Sequence, residues 1–195
     1  MANELNGLRV AALVARGFEQ VELLEPKQAL EAAGAKVDIV SPEQGRVRGW
    51  NRTDWGTDVP VDEPIDQAQP DDYDALLLPG GVMSPDKLRM NQKAVAFVRA
   101  MFEAGKPVAA ICHAPWTLID AGVVRDVKMT SYPSLKTDLE NAGARWVDEE
   151  VVVDRGLVTS RKPDDIPAFI GKMIEEFKEG RHVGAGGRAR IETKN

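Results

Sequence analysis

Three short stretches, "LRVAALVA" (residues 8–15), "DALLLPGG" (74–81) and "PVAAI" (107–111), carry apolar residues at consecutive positions. Side chains alternate between the two faces of a strand, so an unbroken apolar run needs cover on both faces. That requirement excludes a sheet with one wet face and points to a parallel sheet between two helical layers. The intervening segments supply the helices. "VELLEPKQALEAAG" has helical spacing and stops at Gly34, with Pro26 predicting a kink or an early turn. "NQKAVAFVRAMFEAG" carries Val95, Phe97, Val98 and Met101 on one face and ends at Gly105. "HAPWTLIDAG", "SLKTDLENAG" and "PDDIPAFIGKMIEEFKEG" read as further helices. "KVDIVSP" reads as a strand, and "RWVDEEVVVDRGLVTSR" as two strands joined around "DRG". Between them the stretch 43–73 is rich in Gly, Pro and Asp and reads as loop, with a short hairpin around "DVPVDEP". The expected architecture is α/β, a mostly parallel central sheet with helices on both faces.

The length of 195 residues suits one such domain. It is expected over residues 1–178, with 179–195 a flexible tail because "RHVGAGGRARIETKN" lacks periodicity and carries three glycines. A net charge of −6 argues against a dedicated nucleic-acid binder. No signal-like or membrane-spanning run opens the chain, so the expected location is cytoplasmic. One cysteine cannot form an internal disulfide, which suits a reducing compartment. One cysteine and two histidines also argue against a structural zinc site, and neither metal nor cofactor is expected.

The single cysteine, Cys112, follows the apolar run "VAAI" and precedes a helix. A nucleophile on a sharp strand-to-helix turn has the geometry of an elbow. Its thiol would face the carboxyl edge of the sheet, where ligands bind in open α/β folds. A helix N-terminus there would acidify the thiol and could stabilise an oxyanion. The pattern alone weighs evenly the other reading, a small buried apolar residue. His113 suggests a Cys–His dyad, but neighbours at an elbow point in different directions, so it need not reach its own thiol. It could orient substrate, meet a carboxylate, or simply bond to backbone at the helix start. Gly80 and Gly81 end a strand at the same edge, either as a plain turn or as the close backbone approach that an oxyanion site needs.

The segments "FEQVELLEP", "DALLLPGG", "AAICHAP", "MTSYPSLKTDLENAGARWVDEEVVVD" and "LVTSRKPDDIPAF" occur in this order. Together they resemble the PfpI-type intracellular proteases of the ThiJ/PfpI superfamily over roughly residues 8–177. The resemblance implies a flavodoxin-like three-layer sandwich related to class I glutamine amidotransferases, with Cys112 as the reactive cysteine. It implies a carboxylate beside the sulfur; of Glu19 and Glu22, Glu22 takes that place. A Glu close to a thiolate would tend to keep its proton, and could then donate to the sulfur and shuttle a proton. The resemblance also implies that a neighbouring subunit brings a carboxylate, here Asp86, to the histidine, so that at least a homodimer is expected. Tyr132 matches a pocket tyrosine. Trp50, Trp55 and Trp116 are candidates for the pocket mouth, although packing roles are favoured for all three.

The implied activity is a cysteine-dependent stress-response hydrolase acting on small carbonyl compounds or their adducts, glyoxalase- or deglycase-like, with weak peptidase activity. The alternative is a redox-sensing or chaperone-like stress protein using an oxidisable Cys112. An amidotransferase triad is disfavoured, because the only late histidine, His182, falls in the expected tail with no Glu two residues on.

Overall fold

The apolar run at the N-terminal end forms strand β1 (Arg9–Leu13), and helix α1 (Gln20–Ala32) follows it. The computed structural model describes residues 4–182. The chain continues through β2 (Lys36–Ser41), β3 (Arg46–Asn51), β4 (Asp54–Pro60), β5 (Glu63–Pro64) and β6 (Ala75–Leu78). Then come α2 (Met83–Met90), α3 (Gln92–Glu103), β7 (Val108–Ile111) and α4 (Pro115–Ala121). The last part holds β8 (Lys128–Met129), α5 (Lys136–Asn141), β9 (Arg145–Trp146), β10 (Val151–Asp154), β11 (Leu157–Ser160) and α6 (Ile166–Glu179).

Seven strands form one sheet in the order β10-β11-β7-β6-β1-β2-β5. All neighbours are parallel except β10, which turns back on β11 as a hairpin. The unbroken apolar runs serve both faces as expected. Ala11, Leu13, Leu76, Leu78, Val108 and Ala110 face one core, with Leu88, Phe97, Met101 and Leu118 from α2, α3 and α4. Val10, Ala12, Ala75, Leu77, Ala109 and Ile111 face the other, with Leu23 and Leu30 from α1 and Phe169, Met173 and Phe177 from α6. Each fully buried large side chain contributes about 1.5–3 kcal/mol, so two dry layers commit the chain to the sandwich.

Four local expectations differ from the structure. Helix α1 runs through Pro26 without ending; a proline there has no N–H to give the Glu22 carbonyl one turn back. The hairpin lies earlier than expected, with β3 and β4 joined through Arg52 and Thr53, and with Trp50 opposite Trp55. Arg52 takes φ 57°, the left-handed geometry that a two-residue turn demands. The stretch "MSPDKLRM", to which the sequence pattern assigns no element, is helix α2. Finally, ordered chain continues past residue 178. Helix α6 ends at Glu179, and the His182 N–H donates to the Gly105 carbonyl at 2.8 Å. The rest of the expected tail, 183–195, lies outside the described residues.

Candidate active site

The parallel strands β1, β6, β7 and β11 end at one edge of the sheet, and Cys112 follows β7 directly. Its backbone sits at φ 65°, the left-handed region that costs a non-glycine residue about 1–3 kcal/mol. Two hydrogen bonds hold it there. The Cys112 N–H donates to the Ser160 carbonyl at 3.0 Å, and the Tyr132 N–H donates to the Cys112 carbonyl at 2.8 Å. An elbow clamped by two neighbouring segments fixes the thiol instead of letting the turn relax.

That reversed backbone also decides what His113 can do. Its Nδ1 lies 3.1 Å from Cys112 Sγ, so the histidine does reach its own thiol. The left-handed turn rotates the two neighbouring side chains to the same side. Ser134 Oγ lies 3.4 Å from Nε2, Tyr132 stacks on the ring at 4.6 Å, and Trp116 meets it edge-on at 5.3 Å. Burial lowers the His113 pKa, which keeps the imidazole neutral and able to accept a proton.

Glu22, in the first turn of α1, is fully buried. Its Oε2 accepts the Gly80 N–H at 2.8 Å, and its carboxyl group touches the Cys112 thiol. Oε1 meets no hydrogen-bond partner among the described residues. An orphaned carboxylate oxygen in such a place is costly, and a proton on the group removes the buried charge. Burial, opposed by the Gly80 N–H, pushes the Glu22 pKa up to about 8. The thiol departs from the expectation of a helix-acidified cysteine. Burial and then the Glu22 charge raise it, while the backbone N–H groups of Gly81 and His113 pull it down. Burial and the Glu22 charge thus both hold the proton on the thiol.

The raised Glu22 pKa has a consequence for stability. Unfolded, the group releases its proton near 4.5; folded, it holds it to about 8. The folded state binds the extra proton in between, so stability present below about 4.5 is lost as pH rises towards about 8. Urea midpoints measured at pH 5 and pH 8 should fall in the wild type and fall much less in Glu22→Gln. Equal declines in both proteins would mean that Glu22 carries no such proton.

Gly80 lies between the acid and the thiol. A Cβ there would come within 2.6 Å of Glu22 Oε2 and 2.7 Å of Cys112 Cβ. Gly81, at φ 79°, brings its N–H to the sulfur. The plain-turn reading of this pair does not account for these contacts. A cleft of about 290 Å³ opens over Cys112, bounded by Glu19, Glu22, Gly81, His113 and Tyr132. The β3–β4 hairpin adds Trp50 and Arg52 to its wall, and Met83 and Pro163 complete it. Trp55 stands behind Trp50 at 5.4 Å, and Trp116 backs His113. Arg52, Met83 and Pro163 were not legible in the sequence, because each is carried in by a loop or helix whose docking is tertiary.

Asp86 does not join this constellation. It is exposed on α2, lies off the cleft wall, and makes no ion pair among the described residues. His182 is also elsewhere. It packs by Gly105 and Gly156, which precede β7 and β11, and so sits at the opposite edge of the sheet. It cannot complete an amidotransferase-type triad with Cys112.

Residues 8–176 match the model of the DJ-1/PfpI family. The chain belongs to the DJ-1/PfpI family. It is 44% identical over 171 residues to the deglycase PfpI of Pyrococcus furiosus, covering 88% of this chain and 100% of that one. It is 46% identical over 165 residues to general stress protein 18 of Bacillus subtilis, covering 84% and 94%. Among solved structures it resembles a two-domain protein of Anabaena variabilis with DJ-1/ThiJ/PfpI-like and ferritin-like domains. The TM-score is 0.83 at 32% identity, covering 96% of this chain and 52% of that one, so this chain spans about half its length. The expected family and the flavodoxin-like sandwich both stand.

Proposed function

We infer that this DJ-1/PfpI protein is a cysteine-dependent hydrolase of small carbonyl compounds and their early adducts. One observation carries the reading: a thiol 3.1 Å from a neutral imidazole, with a buried carboxyl group against it. The relatives named deglycases agree with it. With methylglyoxal, His113 takes the thiol proton as sulfur attacks the aldehyde carbon, forming a C–S bond. Glu22 gives its proton to the aldehyde oxygen, completing a hemithioacetal. The now ionised Glu22 takes the proton from that carbon while the protonated His113 gives its proton to the ketone oxygen, forming an enediol. Glu22 then returns its proton to the former ketone carbon as His113 takes the hydroxyl proton from the sulfur-bearing carbon, giving a lactoyl thioester. Water then cleaves the C–S bond, releasing lactate and restoring the thiol. The sum is methylglyoxal plus water to lactate, with no external oxidant, reductant or cofactor.

The backbone N–H groups of Gly81 and His113, which stabilise negative charge at sulfur, are candidates to steady the oxyanion of the thioester step. Tyr132 and Arg52 both line the cleft that would receive the substrate. The Asp86 carboxylate of a second copy would be free to reach the Nε2 side of His113, so a homo-oligomer with a shared site is part of the reading. A cytoplasmic location is part of it too. The structure itself contributes only that no helix of the described residues is long and apolar enough to cross a membrane.

The test is lactate formation from methylglyoxal before and after alkylation of Cys112 by iodoacetamide. Lactate should match the aldehyde consumed, and alkylation should stop both. Lactate formation that survives complete alkylation would remove the thiol from the mechanism. A second reading, a redox sensor, draws on the same Glu22 contact, because a protonated carboxyl also binds a cysteine sulfinate. It gains if peroxide yields that sulfinate in a protein with no carbonyl turnover.

A further inference from the structure

At the opposite edge of the sheet from Cys112, three potential ligands gather at the end of α6. One atom each from Glu176, Glu179 and His182 lies within 4.8 Å of the others. The spacing Glu-x-x-Glu places both carboxylates on one face of the last turns, and the chain reverses at Gly180 to return His182 to that face. The histidine is seated by two glycines from other loops. A Cβ on Gly156 would lie 2.5 Å from His182 Cδ2, and one on Gly105 would lie 2.5 Å from the His182 carbonyl oxygen. The His182 N–H is held by Gly105 at 2.8 Å.

A second observation points to a ligand. The Glu176 side chain is only 10% exposed, yet its Oε2 has no hydrogen-bond donor among the described residues. His182 Nε2 stands 3.1 Å away and is likewise unpartnered, because the two atoms face each other off the hydrogen-bonding axis. A carboxylate oxygen and an imidazole nitrogen at this separation match two ligands of one small cation. Around a tetrahedral ion bound at about 2.0–2.2 Å, such ligands stand roughly 3.3 Å apart. The negative end of the α6 dipole adds to the attraction.

We propose that Glu176, Glu179 and His182 form a site for a divalent transition-metal ion of the Zn²⁺ class. One imidazole and two carboxylates form a mixed nitrogen and oxygen set, which suits a borderline cation better than Mg²⁺ or Ca²⁺. The ion would tie His182, which packs against Gly105 and Gly156 before β7 and β11, to the end of α6, away from the catalytic cleft. The low cysteine and histidine count argued against zinc, but that count did not weigh carboxylates.

Titration calorimetry with ZnCl₂ on the untagged full chain tests this. A Cys112→Ser background removes the competing thiol. One equivalent of Zn²⁺ should bind, and thermal unfolding should shift upward with it. Glu179→Gln and His182→Ala should each weaken binding by roughly tenfold or more and remove the shift. Glu179 is exposed, so its variant carries little folding risk. Absence of binding, or equal affinity in parent and both variants, would overturn the site and leave a simple histidine–glutamate ion pair.

Discussion

Cys112→Ala should lose methylglyoxal turnover by roughly a thousandfold or more, leaving lactate formation at the uncatalysed level. The chain has no second thiol to substitute for it. The remaining groups, Glu22 and His113, can move protons but cannot form the carbon–sulfur bond through which the isomerisation passes. The fold should survive, because alanine meets the same left-handed backbone at φ 65° and fills most of the space of the thiol. Cys112→Gly separates chemistry from strain. It should be as inactive as the alanine variant, yet more stable than it by about 1 kcal/mol, since glycine adopts that backbone freely. Urea unfolding and lactate release on both variants give the answer. Substantial turnover in either one would exclude covalent catalysis, and a less stable glycine variant would exclude strain at the elbow.

Gly80→Ala should cripple both folding and turnover. The added Cβ would fall 2.6 Å from Glu22 Oε2, 2.6 Å from the Ile111 carbonyl oxygen and 2.7 Å from Cys112 Cβ. None of these is the loose end of a flexible side chain. The carboxyl is clamped by the Gly80 N–H at 2.8 Å, and Ile111 is the end of a central strand. Overpacking of this kind costs about 1–3 kcal/mol, and here relief can come only by separating acid from thiol. Turnover should fall by roughly a hundredfold, as it does when reacting groups are displaced by an ångström. Gly171→Ala is the control. It lies inside α6 with nothing within 4 Å of the new Cβ, and should stabilise by about 1 kcal/mol without changing turnover. Normal activity in Gly80→Ala would mean that acid and thiol need not touch.

The unbroken runs at 8–15, 74–81 and 107–111 were legible as strands because consecutive apolar residues have only one cheap arrangement, a sheet covered twice. The elbow at Cys112 was legible for a related reason, since an apolar strand must stop where a helix begins. Helix α2 was not, because "MSPDKLRM" owes its order to Leu88 sinking into the core beneath it. Glu22 shows the same limit. A glutamate in the first turn of a helix reads as solvated, and only the closure of α1 over the strand ends buries it. The resemblance singled it out, but its proton comes from burial.

By itself the sequence determined the layers, the strand-to-helix elbow and the family, because periodicity, glycine stops and motif order are properties of the chain taken in order. The tertiary structure decided the rest. It brought Nδ1 of His113 to the sulfur through a left-handed backbone that no pattern encodes. It set Gly80 between an acid and a thiol 58 and 32 residues away in the chain. It carried His182 to the far edge of the sheet, beside two carboxylates rather than the thiol. Proton affinity and proximity depend on what surrounds a group in space, and that is fixed only when the layers close.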